Sequence, residues 1–199
     1  VIGKENTIIP PTEKSATART SGIAPHPLCD HVKYCAADFL QEPHSTNPYF
    51  AGYEEQLSLW CKSPFSHPKA AAVHRYVQKA TLVKDLIREG VLPVDPTGRL
   101  LTIWDSQKEK PRLFKELTAD QGVYKPQNAL IRWIVEIDEV AAVWKDITIQ
   151  EAWINYCKAG TDEELQGLCM VTGDVRGLAS KHPKGIRSGK DGAKLISSN

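Results

Sequence analysis

The residues of this sequence that are best suited to chemistry lie close to its end, where basic side chains alternate with glycine. The basic residues of this loop are Lys181, His182, Lys184, Arg187 and Lys190. Glycines at positions 185, 189 and 192 separate them. Glycine lets the backbone come close to a polyanion, and its amide can donate hydrogen bonds beside the charged side chains. The pattern predicts a phosphate-binding loop, and a solvated terminal segment is the alternative.

The distribution of charge indicates an anionic partner more clearly than the net charge does. The whole chain of 199 residues carries a formal charge of +1. Residues 176–199 contain six basic residues and one acidic residue, so residues 1–175 are net negative. A basic cluster beside a near-neutral body is typical of proteins that bind nucleic acid.

A second polar loop at residues 124–128 precedes an apolar stretch. Its Gln127 and Asn128 each carry a hydrogen-bond donor and an acceptor, a combination that can read the edges of bases. We predict that both residues contact nucleic acid. For Asn128, a cap on the turn into the following strand is the alternative.

Cysteine and histidine lie close together at His26, Cys29, His31 and Cys35. A zinc site needs four ligands in short paired spacings, and neither Cys-x₂-Cys nor His-x₃-His occurs here. Packing thiols and a surface imidazole explain this cluster better than a metal does.

The phosphate-binding P-loop motif is absent as well. We predict a protein without catalysis, cofactor or metal, and a cytoplasmic enzyme using Cys29 and His31 is the rival hypothesis.

Cysteine usage and hydropathy bear on the location of the protein. The five cysteines are odd in number and scattered, which indicates reduced thiols rather than a disulfide framework. No apolar run approaches the ~20 residues that a membrane span requires. The prediction is a cytoplasmic protein.

The elements that position these residues are predicted from apolar spacing and from turn residues. Apolar residues at three- and four-residue spacing predict helices at about 48–61, 68–89 and 149–159. Stretches rich in β-branched and aromatic residues predict strands near 32–36, 128–138, 168–171 and 195–197, and a hairpin at 91–104 with its turn at 95–98.

The predicted fold class is therefore α+β, with mostly antiparallel strands, three helices and long irregular loops. Four prolines and a stretch rich in serine and threonine at 12–21 predict an irregular or extended arm over residues 1–31. Residues 32–199 would form the α+β region.

The chain resembles the large subunit of the type I-C CRISPR surveillance complex, Cascade, in the order of its motifs. Those near its end are Gly-Leu-Cys-Met-Val-Thr-Gly at 167–173, Leu-Ala-Ser-Lys-His-Pro-Lys-Gly-Ile at 178–186 and Gly-Ala-Lys-Leu-Ile-Ser-Ser-Asn at 192–199. Upstream, Ser-Gly-Ile-Ala-Pro at 21–25 and Cys-Asp-His-Val-Lys-Tyr at 29–34 are similar to the family's N-terminal signature. Many members carry Trp-Asp-Asn where this chain has Cys29-Asp30-His31.

This resemblance implies the N-terminal region of a longer large subunit, incomplete at both ends. It also implies a non-catalytic subunit that binds target DNA at the protospacer-adjacent motif and helps R-loop formation. In RNA-guided systems the guide reads most of the target, and protein reads the short flanking motif. A structural scaffold that contacts only the guide RNA and the other subunits is the alternative.

The partners implied by the resemblance are the other Cascade subunits, the guide crRNA, target double-stranded DNA and a helicase-nuclease recruited after target binding. No membrane partner is implied. His31 and Lys33 lie in the N-terminal signature, and they join Gln127, Asn128 and the basic loop as predicted nucleic-acid-binding residues.

Overall fold

The computed structural model describes residues 9–17, 19, 22–39, 47–104, 107, 109–160, 166–168 and 173–177. Within these ranges the chain forms seven α-helices, one 3₁₀ turn and one antiparallel hairpin. The helices are α1 Glu13–Thr17, α2 Val32–Cys35, α3 Pro48–Lys62, α4 Pro68–Val77, α5 Leu82–Arg88, α6 Arg112–Glu116 and α7 Ile147–Ala159. The 3₁₀ turn is Pro126–Asn128, and the hairpin pairs β1 Gln166–Leu168 with β2 Val175–Gly177.

The longest helix, α3, agrees with the helix predicted at 48–61, and local sequence explains its start. The Asn47 side chain accepts hydrogen bonds from the N–H groups of Tyr49 (3.1 Å) and Phe50 (3.3 Å). Pro48 occupies the first turn, where a missing N–H costs no hydrogen bond. The buried face of α3 consists of Tyr53, Leu57 and Trp60.

Helix α7 agrees with the helix predicted at 149–159, although it begins two residues earlier at Ile147. Asp146 sets that start, because its carboxylate accepts a hydrogen bond from the Thr148 N–H (2.9 Å).

The single helix predicted at 68–89 is wrong, because the segment forms α4 and α5. Helix α4 ends at Val77 and α5 begins at Leu82. Between them Ala80 has a φ of 53°, a left-handed conformation that no helix contains. The break contains neither glycine nor proline, and the apolar spacing continues across it. The sequence pattern therefore does not reveal it.

The predicted fold class, α+β with mostly antiparallel strands, is wrong for the described residues, which are mainly helical and contain one two-stranded sheet. Residues 32–36, predicted as a strand, form α2. The hairpin predicted at 91–104 is reduced to one bridge between Val94 and Leu100.

The strand predicted at 128–138 shows why the class was wrong. Residues 129–136 form an extended segment in which odd-numbered side chains are buried or half-buried and even-numbered ones are exposed, whereas Asn128 ends the 3₁₀ turn and residues 137–138 lie in a bend. It pairs through the isolated bridges His31–Leu130 and Ile134–Ala142 rather than through a continuous ladder. High β-propensity selects a pleated, half-buried surface, and it does not require a neighbouring strand of equal length.

The core is built mainly from helices. Trp60 of α3 packs edge-to-face on Trp153 of α7, with ring centroids 5.0 Å apart. Other fully buried side chains of this core include Ile9, Val32, Cys35, Ala70, Val143 and Ile149. Phe114 belongs to a separate aromatic group, where it stacks on Tyr124 at 4.1 Å.

Residues 22–31 are anchored to α3 and to the extended segment. The Leu28 carbonyl accepts hydrogen bonds from the Tyr53 hydroxyl (2.7 Å) and from the Trp133 indole N–H (2.9 Å). Gly52 permits close packing, because a Cβ there would lie 3.2 Å from Cγ2 of Ile23. These contacts fix the backbone that leads into Asp30 and His31.

The boundary proposed at residue 31 stays a prediction. Ile9 and Leu28 belong to the same hydrophobic core as α3 and α7.

Among the described helices, none has the length and apolar character that crossing a bilayer would take. A cytoplasmic location also stays a prediction.

Candidate nucleic-acid interface

Backbone pairing brings two of the predicted binding segments together. The Val32 N–H donates to the Ala129 carbonyl (2.9 Å), and the Ile131 N–H donates to the Asp30 carbonyl (2.8 Å). Helix α2 consequently packs against the 3₁₀ turn. His31 and helix α2, which carries Lys33, therefore lie beside the turn that carries Gln127 and Asn128. We call these four residues the α2–turn surface.

Asp30 organises the α2 side of this surface. Its carboxylate is fully buried and accepts hydrogen bonds from the Arg19 guanidinium (2.6 Å), the His26 N–H (2.7 Å) and the His31 N–H (2.7 Å). A buried carboxylate requires such partners, because its desolvation is otherwise too costly. Asp30 thus fixes the entry to α2 and holds a guanidinium beside it.

His31 exposes part of its ring on this surface. Its side chain is 37% exposed, while Nδ1 is buried, lies 3.8 Å from Asp30 and has no hydrogen-bond partner among the described residues. Burial lowers the pKa of His31, Arg19 and Lys33 lower it further, and Asp30 opposes them. The imidazole is therefore neutral at pH 7, and a neutral imidazole offers one donor and one acceptor.

Lys33 supplies the positive charge of this surface, because the charge of the nearby Arg19 is paired with Asp30. The Lys33 ammonium lies 5.0 Å from the Tyr49 ring and 5.8 Å from the Tyr34 ring, and the Arg19 guanidinium lies 4.4 Å from the Tyr34 ring. Burial lowers the pKa of Lys33, Arg19 lowers it further, and Asp30 opposes both. The cation–π contacts orient the Lys33 ammonium without neutralising it.

Asn47 links the backbone of α2, which carries Lys33, to the start of α3. Its side-chain amide donates to the carbonyls of Lys33 (2.8 Å) and Ala36 (3.0 Å), while its oxygen caps α3. Sequence reasoning missed Asn47, Tyr49 and Arg19. Arg19 lies in a polar stretch where no spacing distinguishes it, although Asn47 before Pro48 is a recognisable helix-start signal.

Gln127 and Asn128 present amides on the turn side of the surface. Gln127 is half-buried and Asn128 is exposed. The Asn128 backbone N–H donates to the Lys125 carbonyl (2.9 Å), which closes the turn. Neither side chain hydrogen-bonds to another described residue, so the capping role considered for Asn128 has no support in the described part of the chain.

The basic loop itself, with Lys181, His182, Lys184, Arg187 and Lys190, lies outside the described residues. Its role stays a prediction.

The thiols near this surface are packing groups. Burial raises the pKa of Cys29 to about 11, and it raises the pKa of Cys35 well above its ordinary value. A cysteine nucleophile or metal ligand needs a lowered pKa. Over the described ranges, no three His, Cys, Asp or Glu side chains are grouped closely enough to hold a metal ion.

Comparison with known proteins gives one family. The model of the family described as CRISPR-associated protein (Cas_Csd1) matches residues 3–199. No curated protein and no solved structure matches the chain significantly.

Proposed function

The chain belongs to the CRISPR-associated protein (Cas_Csd1) family, and from this premise we propose a specific role for it. It acts as a non-catalytic part of the large subunit of a type I-C Cascade complex. There it binds target DNA at the protospacer-adjacent motif and helps the guide RNA to form the R-loop. Family membership points to other Cas components as its partners.

The observation that carries this proposal is the composition of the α2–turn surface. Lys33 is suited to phosphate, because positive charge that replaces condensed counterions drives salt-dependent DNA binding. His31, Gln127 and Asn128 are suited to base edges, because each side chain offers both a donor and an acceptor. Phosphate contacts position a protein on DNA and base contacts give specificity, so one surface could serve both purposes.

The chemistry of the site favours binding over catalysis. The two thiols closest to His31 have raised pKa values, which oppose formation of a thiolate at neutral pH. Asp30, the nearest carboxylate, is enclosed by Arg19 and two backbone N–H groups and is unavailable to a substrate. These features support a role without bond-making chemistry.

The test compares variants of the assembled complex on matched target duplexes that differ in the flanking motif, at several salt concentrations. His31→Ala and Gln127→Ala should change the preference among flanks by ~1–3 kcal/mol with little effect on the salt slope. Lys33→Ala should weaken binding to all flanks and reduce the slope of log K against log salt by roughly 0.9.

Lys79→Ala is the matched control, because Lys79 also lies over a tyrosine ring, 5.7 Å from that of Tyr76, but belongs to the connection between α4 and α5 rather than to α2 or the 3₁₀ turn. It should leave both quantities unchanged. If all three surface variants bind every flank as the parent does, this surface does not contact DNA. The alternative of a scaffold that contacts only guide RNA and other subunits would then be preferred.

A further inference from the structure

The extended segment 129–135 uses one edge of its backbone for pairing within the chain. The hydrogen bonds of this edge are Val32 N–H to the Ala129 carbonyl (2.9 Å), Ile131 N–H to the Asp30 carbonyl (2.8 Å), Val143 N–H to the Trp133 carbonyl (3.2 Å) and Val135 N–H to the Ala141 carbonyl (2.8 Å). All four involve odd-numbered residues of the segment. Successive residues of a strand direct their N–H and C=O groups to alternate edges, so one edge is satisfied along its length.

The opposite edge consists of the backbone groups of Leu130, Arg132, Ile134 and Glu136. None of these four forms a backbone hydrogen bond with another described residue. Their side chains are exposed, with Leu130 at 45% and Ile134 at 65%. An exposed apolar edge with a row of unpaired N–H and C=O groups is a template for another strand.

The side chains along this edge are complementary to those of a second, antiparallel copy of the same segment. In an antiparallel pair of identical segments centred on Ile134, each Arg132 lies opposite a Glu136 and the two Ile134 side chains face each other. Opposite charges and apolar groups in directly opposed positions stabilise an antiparallel pair. The guanidinium of Arg132 lies 4.4 Å from the Trp144 ring, which holds the positive charge beside the strand.

We infer that residues 132–136 pair with the same segment of a second copy of this chain, in an antiparallel arrangement around Ile134. Even-numbered residues of the two copies then form hydrogen-bonded pairs, in which both N–H groups donate to the facing carbonyls. The symmetry is two-fold, so one self-complementary patch serves both subunits. Pairing stops after Glu136, because residues 137–139 form a bend.

The pairing is weak, because so short an edge buries far less than the roughly 1,200–2,000 Å² of a stable interface. The expected behaviour of the purified chain is a monomer–dimer equilibrium that shifts to dimer at high micromolar concentration. Sedimentation equilibrium measures its dissociation constant. A chain that remains monomeric throughout the micromolar range overturns the inference.

Charge exchange tests the register. Arg132→Glu and Glu136→Arg should each weaken self-association by roughly tenfold, since two attractive cross-strand pairs become like-charge pairs. An equimolar mixture of the two variants should associate again, because each Glu then faces an Arg of the other variant. Association of either single variant at the parent's affinity, or failure of the mixture to associate, contradicts this register.

Ile134→Lys and Ile103→Lys form a matched pair, because both isoleucines are 65% exposed. Ile134→Lys should abolish the dimer, and Ile103→Lys should leave it intact. Circular dichroism of each variant shows that the fold is retained. If Ile103→Lys abolishes association and Ile134→Lys does not, the dimer uses a different surface and the inference is wrong.

Discussion

At the level of single residues, the ammonium group of Lys69 is fully buried at the start of α4. It donates to the carboxylate of Asp138 (2.7 Å), to the Val140 carbonyl (2.7 Å) and to the carboxylate of Asp146. These acceptors come from the segment that links the extended strand to α7. A single lysine therefore joins α4 to the segment that follows the free edge.

Removing this ammonium should be costly. Lys69→Met leaves the Asp146 carboxylate buried without its counter-charge, so we expect a loss of about 3–5 kcal/mol in the free energy of unfolding. Urea denaturation measures this loss. Adding Asp146→Asn to Lys69→Met should recover part of it, because the neutral amide still caps α7. A loss of only a few tenths of a kcal/mol would show that the ion pair is dispensable.

The same ion pair predicts a pH dependence. Burial alone would raise the pKa of Asp146, but hydrogen bonds from Lys69 and Thr148 lower it from 3.8 to about 2. Because the folded-state pKa is below the ordinary value, the ionised carboxylate contributes its full stability above about pH 4. That contribution is lost as the pH falls toward 2. Urea unfolding across this range should show the loss, and Asp146→Asn should show less of it.

At the level of elements, the connection between α4 and α5 depends on a strained residue. Ala80 has a φ of 53°, and a side chain with a Cβ is disfavoured there by roughly 1–2 kcal/mol. The residue is exposed, so no packing compensates for the strain. The break separates two helices that a continuous apolar pattern would otherwise join.

Ala80→Gly should therefore stabilise the protein by up to about 1 kcal/mol, since the relief of strain exceeds the entropy cost of glycine. Thermal or urea unfolding measures the change. Ala71→Gly, inside α4, is the control and should destabilise by about 1 kcal/mol. Destabilisation of equal size at both positions would contradict the strained conformation of Ala80.

At the level of the whole molecule, charge is distributed between the α2–turn surface and the basic loop. The α2–turn surface contributes Lys33, while Lys181, Lys184, Arg187 and Lys190 lie outside the described residues. We expect both regions to act on one polyanion, the target DNA. The slope of log K against log salt, measured for variants of each region, gives the contribution of that region, because each released counterion adds to the slope.

Replacing Lys181, Lys184, Arg187 and Lys190 by alanine should leave the unfolding transition unchanged, because this loop offers few apolar groups to a core. The assembled complex should bind DNA more weakly, with a salt slope reduced by roughly 0.9 for each phosphate that the loop no longer neutralises. The control replaces four exposed basic residues on or beside the helices, Lys62, Arg75, Lys79 and Lys84. If the loop variant keeps the parent's affinity at every salt concentration, the basic loop does not bind the DNA.

Local sequence determined the helices that have regular apolar spacing and a capping residue at their start. Helix α3 and most of α7 follow from apolar spacing and from the caps Asn47 and Asp146, because a helix is stabilised by contacts between near neighbours. The extended backbone and the alternating burial near Trp133 also follow from residue type. Membership of a CRISPR-associated family was also readable in the motifs along the chain, while the type I-C large-subunit assignment stays a proposal.

Tertiary structure alone decided what the extended segment 129–135 pairs with and which of the predicted site residues lie close together. The break at Ala80 carries no glycine or proline, and the pairing of Val32 with Ala129 joins distant parts of the chain. Such contacts depend on the shape of the whole core, which no local pattern encodes. For the same reason His31 and Asn128 could be predicted separately as binding residues, but their position on one surface became visible only once the chain was folded.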